Sequence, residues 1–193
     1  MSNETRYLTV VETAKLVRLE LAKHFPKQKF SVGSESYSGG ASIDIFWTDG
    51  VRAKEVEPIA KRFKGADFDG MIDMAIHNKS WLLPDGSAEL ASSPGTEGSL
   101  GTIPRFVSKA PHPNAELVRF GADHVFCNRS ISNFEAKEVE ALALIRKRCR
   151  CEGNPPNDRF GNDWVTNLAR QMVWDKGEDE SMTAAFERVV LNH

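Results

Sequence analysis

Cysteine is scarce in this sequence, and no long apolar run occurs. The 193 residues include three cysteines, Cys127, Cys149 and Cys151. This odd number argues against a disulfide framework, and we interpret the three side chains as reduced thiols. Together with a histidine they could in principle hold zinc, but the closely spaced ligand pairs of a zinc site are missing. We therefore predict no metal and no cofactor.

Absent as well is any apolar stretch of the roughly 18 residues that a membrane-spanning helix requires. The N-terminal residues MSNETRYLTVVE have no signal-peptide pattern, so we expect a cytosolic protein without membrane contact. Charge of one sign is not in excess either, because 25 Lys and Arg stand against 27 Asp and Glu. The chain thus lacks the basic character of an ordinary nucleic-acid binder, although a local basic patch can act within a neutral total.

The first part of the chain predicts a helix followed by a β-hairpin. Thr9 and Glu12 have the spacing of a capping box, and apolar residues recur at helical spacing over residues 10–25. Two alternating segments follow, and the glycines of Tyr37-Ser38-Gly39-Gly40 provide the turn between them. A second helix is predicted over residues 51–63, beginning near Glu55 so that Pro58 falls in its first turn.

The remaining patterns predict strands and then helices. Strands are expected at residues 72–76, 106–107 and 122–131. Residues 92–102 are predicted to form a long flexible loop. Ser132 and Glu135 have the spacing of a second capping box. Helices are expected over residues 132–149, 163–174 and 182–190.

This order of elements predicts an α+β fold, with a small antiparallel or mixed sheet flanked by helices and a helical C-terminal segment. We place one α+β domain at residues 1–153 and a helical segment packed on it at residues 154–193. Trp47 and Trp164 are expected in the core. Trp81 lies between a polar stretch and a turn, and we predict that it is partly exposed and anchors a partner.

A group of acids lies at Asp67, Asp69 and Asp73, around Gly70. Magnesium and calcium prefer such oxygen ligands, but the spacing is not that of a calcium loop. The alternative, which we favour, is a loop in which the aspartates accept hydrogen bonds from backbone amides. A divalent-metal site on these three acids remains a hypothesis.

The hairpin turn contains three hydroxyl-bearing residues, Ser36, Tyr37 and Ser38. No neighbouring base would activate a nucleophile there, so a catalytic site is not predicted. A polar hairpin tip that contacts a partner and a simple exposed turn are equally good interpretations. The partner-binding candidates are Ser36, Tyr37, Ser38, Asp67, Asp69 and Trp81.

The main basic run is Arg146-Lys147-Arg148-Cys149-Arg150. Cations at the end of a helix complement the helix dipole, which is a sufficient structural reason for them. They could also contact phosphates, with Arg129 or Lys109 beside them if the fold brings either close. The nucleic-acid-binding candidates are Arg129, Arg146, Lys147, Arg148 and Arg150.

Several short segments together resemble a known family. They are Glu12–Arg18, Lys29–Val32, Ser36–Asp44, Trp47–Gly50, Lys61–Phe63 and Gly65–Asp73, with Phe120–Ser130 as a possible continuation. In their order and length they are similar to a large polyvalent-protein-associated domain, number twenty-nine in that series. The resemblance implies a protein of phages, plasmids or conjugative elements, of a kind thought to accompany incoming DNA and blunt host defences. It carries no catalytic residue over to this chain.

Three hypotheses about function follow. The one we favour is a non-enzymatic accessory protein in the bacterial cytoplasm, which binds a host or mobile-element protein and counters or adapts a host defence system. The second is a nucleic-acid-binding protein that contacts phosphates through the basic run. The third is a divalent-metal-dependent enzyme acting on nucleic acid or nucleotides, with its metal on Asp67, Asp69 and Asp73.

Overall fold

The structure is a computed structural model that describes residues 5–96, 104–149, 164–177 and 179–191. The helices are α1 (Val10–His24), α2 (Ala53–Ala60), α3 (Phe134–Cys149), α4 (Trp164–Asp175) and α5 (Met182–Leu191). The strands are β1 (Arg6–Leu8), β2 (Ser31–Tyr37), β3 (Gly40–Thr48), β4 (Ala66–Asp69), β5 (Met74–His77), β6 (Lys79–Leu82), β7 (Ala88–Ser93), β8 (Phe106–Val107), β9 (Glu116–Phe120) and β10 (His124–Ser130).

The predicted α+β class is confirmed. In the described residues the strands form a five-stranded sheet of order β1-β9-β6-β7-β8, a three-stranded sheet of order β10-β3-β2 and the β4–β5 pair. The five-stranded sheet is mixed, because β1 runs parallel to β9 while its other pairs are antiparallel. The helices of the C-terminal part, α3 to α5, follow all the strands. No helix in the described ranges is both long enough and apolar enough to cross a bilayer.

Contacts divide the chain into two units. The first contains residues 1–47 and 53–128, and the second contains residues 48–52 and 129–193. The domain boundary predicted between residues 153 and 154 lies outside the described residues. That boundary, and with it the packing of a C-terminal segment on residues 1–153, stays a prediction.

Helix α1 begins at the predicted capping box. The Thr9 amide donates to Glu12 Oε2 at 2.8 Å, and the Glu12 amide donates to Thr9 Oγ1 at 3.3 Å. These bonds satisfy two of the amides that the start of a helix leaves without a partner. Ala14, Val17 and Leu21 form the buried face of the helix, which packs against β2.

The β2–β3 hairpin also follows the sequence pattern. Tyr37 pairs with Gly40, so that Ser38 and Gly39 make the turn. In β3 the alternating side chains Ile43, Ile45 and Trp47 are buried, as predicted for the inward face of a strand. This hairpin and α1 supply much of the core of the first unit.

Gly65 holds the β4–β5 hairpin against the end of β9. Its amide donates to the Ala122 carbonyl at 2.8 Å, and its own carbonyl accepts from the Asn78 amide at 3.0 Å. A Cβ at this position would lie 1.8 Å from the Phe120 carbonyl oxygen, so a side chain would force the two backbones apart. Glycine is therefore required by the close approach of two strands.

The second unit has its own apolar core, formed by α3, α4 and α5. The fully or nearly fully buried side chains are Ala141, Ile145, Val165, Ala169, Met172, Val173, Met182, Phe186 and Val189. A local network at the start of α3 accompanies this core. Asp49 accepts from the Ser132 amide at 3.1 Å, from the Ser132 hydroxyl, and from Lys137 Nζ at 3.0 Å. The predicted capping box at Ser132 is wrong, because α3 begins at Phe134 and the Ser132 hydroxyl is bonded to Asp49.

Some other predictions were also wrong. Helix α2 begins at Ala53, so Pro58 lies inside it, and a 3₁₀ turn at Lys61–Phe63 continues the segment. Trp164 has 40% of its surface exposed and is not a core residue. The predicted third strand begins only at Met74. Sequence patterns missed β1, β4, β6, β7 and β9, most of which are short strands without clear alternation.

Candidate functional site

A cavity of about 610 Å³ lies in the first unit. Its lining comes from the junction of β1 and α1, from the turn end of the β2–β3 hairpin, from β5, and from β9 with the residues that follow it. Polar side chains on this lining belong to Tyr7, Thr9, Ser36, His77, Arg119 and Asp123. Concave sites of this size, with a few polar groups among apolar ones, are the usual place for small ligands.

Arg119 and His77 form a hydrogen-bonded pair in this cavity. Arg119 Nη2 lies 2.8 Å from His77 Nδ1. A guanidinium can only donate, so Nδ1 accepts the bond and the neutral imidazole carries its proton on Nε2. The Nε atom of Arg119 is buried and has no hydrogen-bond partner in the described part of the chain. The pair therefore brings a fixed positive charge and further donors to one cavity.

Asp123 connects the cavity to the β2–β3 hairpin. Its Oδ2 accepts from the Ala41 amide at 3.1 Å, and its own amide donates to the Ala41 carbonyl at 2.8 Å. A Cβ at Gly40 would lie 2.7 Å from the same Oδ2, so a glycine there lets the carboxylate approach the hairpin. These contacts hold the Asp123 carboxylate in place while leaving it capacity to accept further bonds.

A second feature of the first unit is the end of the β4–β5 hairpin, which exposes large apolar side chains. We call this the apolar tip. Its residues are Phe68, Met71, Ile72 and Met74, with 56%, 62%, 43% and 55% of their surface exposed. Single exposed apolar residues are ordinary, but several of them at the end of one short hairpin are typical of a surface that contacts another protein or a ligand.

The acids of this segment support the hairpin. Asp67 accepts from Lys64 Nζ at 2.9 Å and from the Asn78 side-chain amide. Asp69 is buried, and its Oδ1 accepts from the Met71 amide at 3.0 Å, which shapes the turn. Asp73 has a positive φ of 51°. The preference for aspartates that accept from backbone amides is thus confirmed at Asp69.

The metal hypothesis on these acids is not supported. In the described ranges no group of three or more His, Cys, Asp or Glu side chains is arranged so that it could hold a metal ion. The physical reason is local, since Asp67 is paired with Lys64 and Asn78 while Asp69 is turned toward its own loop. The buried position of Asp69 also removes it from the set of residues that a partner could reach.

The other partner-binding candidates have different surroundings. Ser36, Tyr37 and Ser38 are exposed at the end of the β2–β3 hairpin, and Ser36 also lines the cavity. Trp81 is buried, with 7% of its surface exposed, and its Nε1 donates to Ser108 Oγ at 3.1 Å. The predicted partial exposure of Trp81 is wrong, because tertiary packing buries the indole and Ser108, 27 positions away, accepts its N–H.

The basic candidates divide into two groups. Arg146, Lys147 and Arg148 are exposed in the last turn of α3 and make no ion pair with another described residue. Arg129 instead donates to backbone carbonyls of Gly50, Trp174 and Lys176, which is a structural role in the second unit. Arg150 lies outside the described residues.

Cys127 offers no reactive thiol at neutral pH. It is half-buried, and burial together with the nearby Glu57 charge raises its pKa to about 11. A nucleophilic cysteine requires the thiolate, which needs a lowered pKa. Cys151 and the side chain of Cys149 lie outside the described residues.

Comparison with known proteins places the chain in a family. Residues 8–132 match the model of the large polyvalent protein associated domain 29, which covers more than half of the sequence. The chain belongs to this family. No curated protein and no solved structure matches it. The resemblance seen in the sequence is thereby confirmed.

The part of the chain that matches the large polyvalent protein associated domain contains the apolar tip and all of the cavity lining except Tyr7. It runs from the last residue of β1 to just before α3. Sequence reasoning missed Tyr7, His77, Arg119 and Asp123, which are far apart in the chain and carry no local motif. It also missed the apolar tip. A signal for the tip is present in the sequence, since Phe68, Met71, Ile72 and Met74 are interspersed among Asp67, Asp69 and Asp73.

Proposed function

We propose that this domain is a non-enzymatic binding module of a phage, plasmid or other mobile element, and that it counters or adapts a host defence system through protein–protein contacts. Membership of a family of domains associated with polyvalent proteins supports the setting. The observation that supports protein binding is the apolar tip. Its partner is a host or mobile-element protein in the bacterial cytoplasm.

The tip favours binding because its backbone is already ordered. Asp69 accepts from the Met71 amide within the turn. The salt bridge of Lys64 with Asp67 stabilises β4, the strand that precedes this turn. A preordered hairpin loses little conformational entropy on binding, so more of the gain from apolar burial appears as affinity. Burial of apolar surface is worth about 25 cal/mol per Å² before such costs are counted.

The composition of the tip indicates the chemistry of its partner. Phenylalanine and methionine side chains fill irregular apolar grooves well. Asp73, which is exposed, brings negative charge beside them, whereas the charge of Asp67 is compensated by Lys64. A partner surface with an apolar groove and a basic rim complements this arrangement. The exposed Ser36, Tyr37 and Ser38 form a second, polar contact region in the same proposal.

The test is capture of partners by the tagged full chain from a bacterial lysate, compared among variants by quantitative mass spectrometry. The double substitution Phe68→Ser with Met71→Ser removes the two most exposed of the four apolar tip side chains without altering the aspartates. Val107→Ser is the matched control, because Val107 is 86% exposed and lies in β8 of the same unit. Tyr37→Ala examines the polar region separately.

We expect the wild type and the Val107→Ser control to capture the same partner protein. The amount captured by the tip variant should be lower by at least about tenfold, which corresponds to a loss of 1.4 kcal/mol in binding free energy. Binding must then be reproduced with the purified partner. Equal capture by the wild type, the control and the tip variant would refute the proposed role of the tip. Circular dichroism checks that all variants remain folded.

A nucleic-acid role is the second candidate, and one observation favours it. Arg146, Lys147 and Arg148 are adjacent, exposed, and without a carboxylate partner in the part of the chain that the structure describes. Fluorescence anisotropy of labelled DNA and RNA tests this role. Affinity should fall steeply as salt rises, and substitution of the three residues by glutamine should reduce that slope. Absence of binding at low salt would refute it.

A further inference from the structure

The cavity of the first unit has the size and lining of a small-ligand site. Its volume of about 610 Å³ lies in the range of roughly 300–1,000 Å³ typical of such sites. Apolar parts of the wall come from Val10, Val11 and Phe120, and glycines leave room where the β2–β3 turn meets the end of β9. The wall contains two charged side chains of opposite sign, Arg119 and Asp123.

The first polar place is centred on Arg119. Its Nη2 is shared with His77, and its Nε is buried without a hydrogen-bond partner among the described residues. An anion in the cavity would accept charge-assisted hydrogen bonds from the guanidinium N–H groups that His77 does not use, whereas the buried Nε itself is out of its reach. His77, through its Nε2 proton, and Tyr7, through its hydroxyl, bring further donors to the lining of this cavity.

The N-terminus of α1 does not provide the positive charge of this first polar place. Glu12 already compensates the partial positive charge of the helix end, since its carboxylate accepts from the Thr9 amide and from the Thr9 hydroxyl. The positive charge available to a ligand is therefore that of Arg119. This separates the cavity from an ordinary helix terminus.

The second polar place is Asp123. One of its oxygens accepts from the Ala41 amide, and the carboxylate retains capacity for further donors. A ligand that is negative throughout would be repelled there. A ligand with an anionic group at one end and hydroxyl or amine donors on its body satisfies both places.

We propose that this cavity binds a small phosphorylated metabolite whose body carries hydroxyl or amine groups, the chemical class of nucleoside monophosphates and sugar phosphates. Phosphate is favoured over carboxylate because its terminal oxygens accept bonds from several donors at once, and Arg119, His77 and Tyr7 provide several. Asp123 accepts from the body of the ligand. Such binding goes beyond the protein-binding role, because the cavity and the apolar tip share no residue.

Isothermal titration calorimetry on the full chain tests this site. The probes are the nucleoside monophosphates and hexose phosphates, each with its dephosphorylated counterpart, together with inorganic phosphate and succinate. We expect at least one phosphorylated probe to bind, its dephosphorylated counterpart to lose binding, and inorganic phosphate to bind more weakly than the whole compound.

Variants assign the binding to the cavity. Arg119→Gln should weaken the best probe by at least about tenfold, which corresponds to the loss of a charge-assisted bond. Arg62→Gln is the matched control, because Arg62 is exposed in the 3₁₀ turn of the same unit and does not line the cavity. Tyr7→Phe removes only a hydroxyl and should weaken binding severalfold. It tests the same site if Arg119→Gln does not fold. Asp123→Asn should reduce the difference in affinity between the phosphorylated compound and inorganic phosphate, because it weakens binding of the body of the compound.

The inference is overturned by any of three results. The first is that no phosphorylated probe binds at millimolar concentration. The second is that dephosphorylated compounds or succinate bind as well as the phosphorylated ones. The third is that the cavity variants and Arg62→Gln have equal effects on affinity.

Discussion

The guanidinium of Arg129 donates to the carbonyl oxygens of Trp174, Gly50 and Lys176 at 2.6, 2.9 and 3.1 Å. Arg119, by contrast, donates from Nη2 to a histidine nitrogen, His77 Nδ1, at 2.8 Å. Arginine thus has two different roles in this protein. Arg129 is surrounded by carbonyl oxygens and joins segments of backbone, whereas Arg119 lies in the wall of a cavity, where its guanidinium is available to a ligand.

At the residue scale we predict that Arg129→Lys destabilises the protein. A lysine ammonium cannot reach three carbonyl groups with the geometry of the planar guanidinium, so carbonyls in a partly buried place lose their donors. The expected loss in the free energy of unfolding is about 2 kcal/mol, measured by urea denaturation.

Arg146→Lys is the control for this prediction, because Arg146 is exposed on α3 and makes no bond with another described residue. We expect its midpoint of unfolding to match that of the wild type. Equal stability of Arg129→Lys and the wild type would show that the carbonyl contacts of Arg129 do not stabilise the second unit.

At the scale of elements, the β4–β5 hairpin depends on Gly65. Strand β4, which follows Gly65, pairs with β5 so that Asp67 lies opposite Ile76 and Asp69 lies opposite Met74. At the base of this pairing the Gly65 carbonyl accepts from the Asn78 amide, while the Gly65 amide donates to the Ala122 carbonyl. This backbone contact fixes the base of the hairpin whose end is the apolar tip.

We predict that Gly65→Ala costs about 3 kcal/mol of stability, because the added methyl group would collide with the Phe120 carbonyl oxygen and the strands would have to separate. Thermal and urea unfolding measure the loss. Gly70→Ala is the control within the same hairpin, since its Cβ would meet nothing closer than 3.8 Å. If the two variants were equally stable, close approach at Gly65 would not be a constraint on the fold.

At the scale of the whole molecule, several carboxylates have lowered pKa values in the folded state. Hydrogen bonds from Thr9 lower the pKa of Glu12, and the Lys23 ammonium with Ser87 lowers that of Asp85. Burial opposes ionisation of Asp49, but bonds from Ser132 and Lys137 outweigh it and lower the pKa. The Arg188 guanidinium lowers the pKa of Glu180 to about 2, from an ordinary value of 4.5.

We therefore predict that the protein loses stability on acidification. A group whose pKa is lowered by folding contributes stability above its unfolded value, and this contribution disappears as the pH falls through the folded value. Urea midpoints should be constant near pH 7 and decline from about pH 5 downward. A midpoint that stayed unchanged down to pH 3 would contradict the assignment of these ion pairs.

Glu180→Gln tests the largest of the partly buried contributions. It removes the charge that Arg188 Nε approaches at 2.8 Å, in a pair whose side chains are 25% and 19% exposed. We expect a loss of about 2 kcal/mol at pH 7 and a smaller loss at pH 3. Glu187→Gln, at an exposed position of α5 without a bond to another described residue, should leave both values unchanged.

Much of this fold could be predicted from local sequence. The capping box of Thr9 and Glu12, the buried face of α1, the glycine turn of the β2–β3 hairpin and the apolar periodicity of α5 each depend on residues a few positions apart. Helix and strand periods, caps and turns are properties of such short spans, and the family resemblance was carried by the same spans. The sequence by itself therefore determined the class of the fold and the family.

Only the tertiary structure decided the candidate sites. Arg119 meets His77 across a separation of 42 positions, and Asp123 meets Ala41 across 82. Trp81 is buried through contacts with residues distant in the chain, among them Ser108, while Phe68 and its neighbours are exposed at the end of a hairpin that pairs with no further strand in the described residues. Burial and long-range pairing depend on which elements pack together, and no short stretch of sequence contains that information.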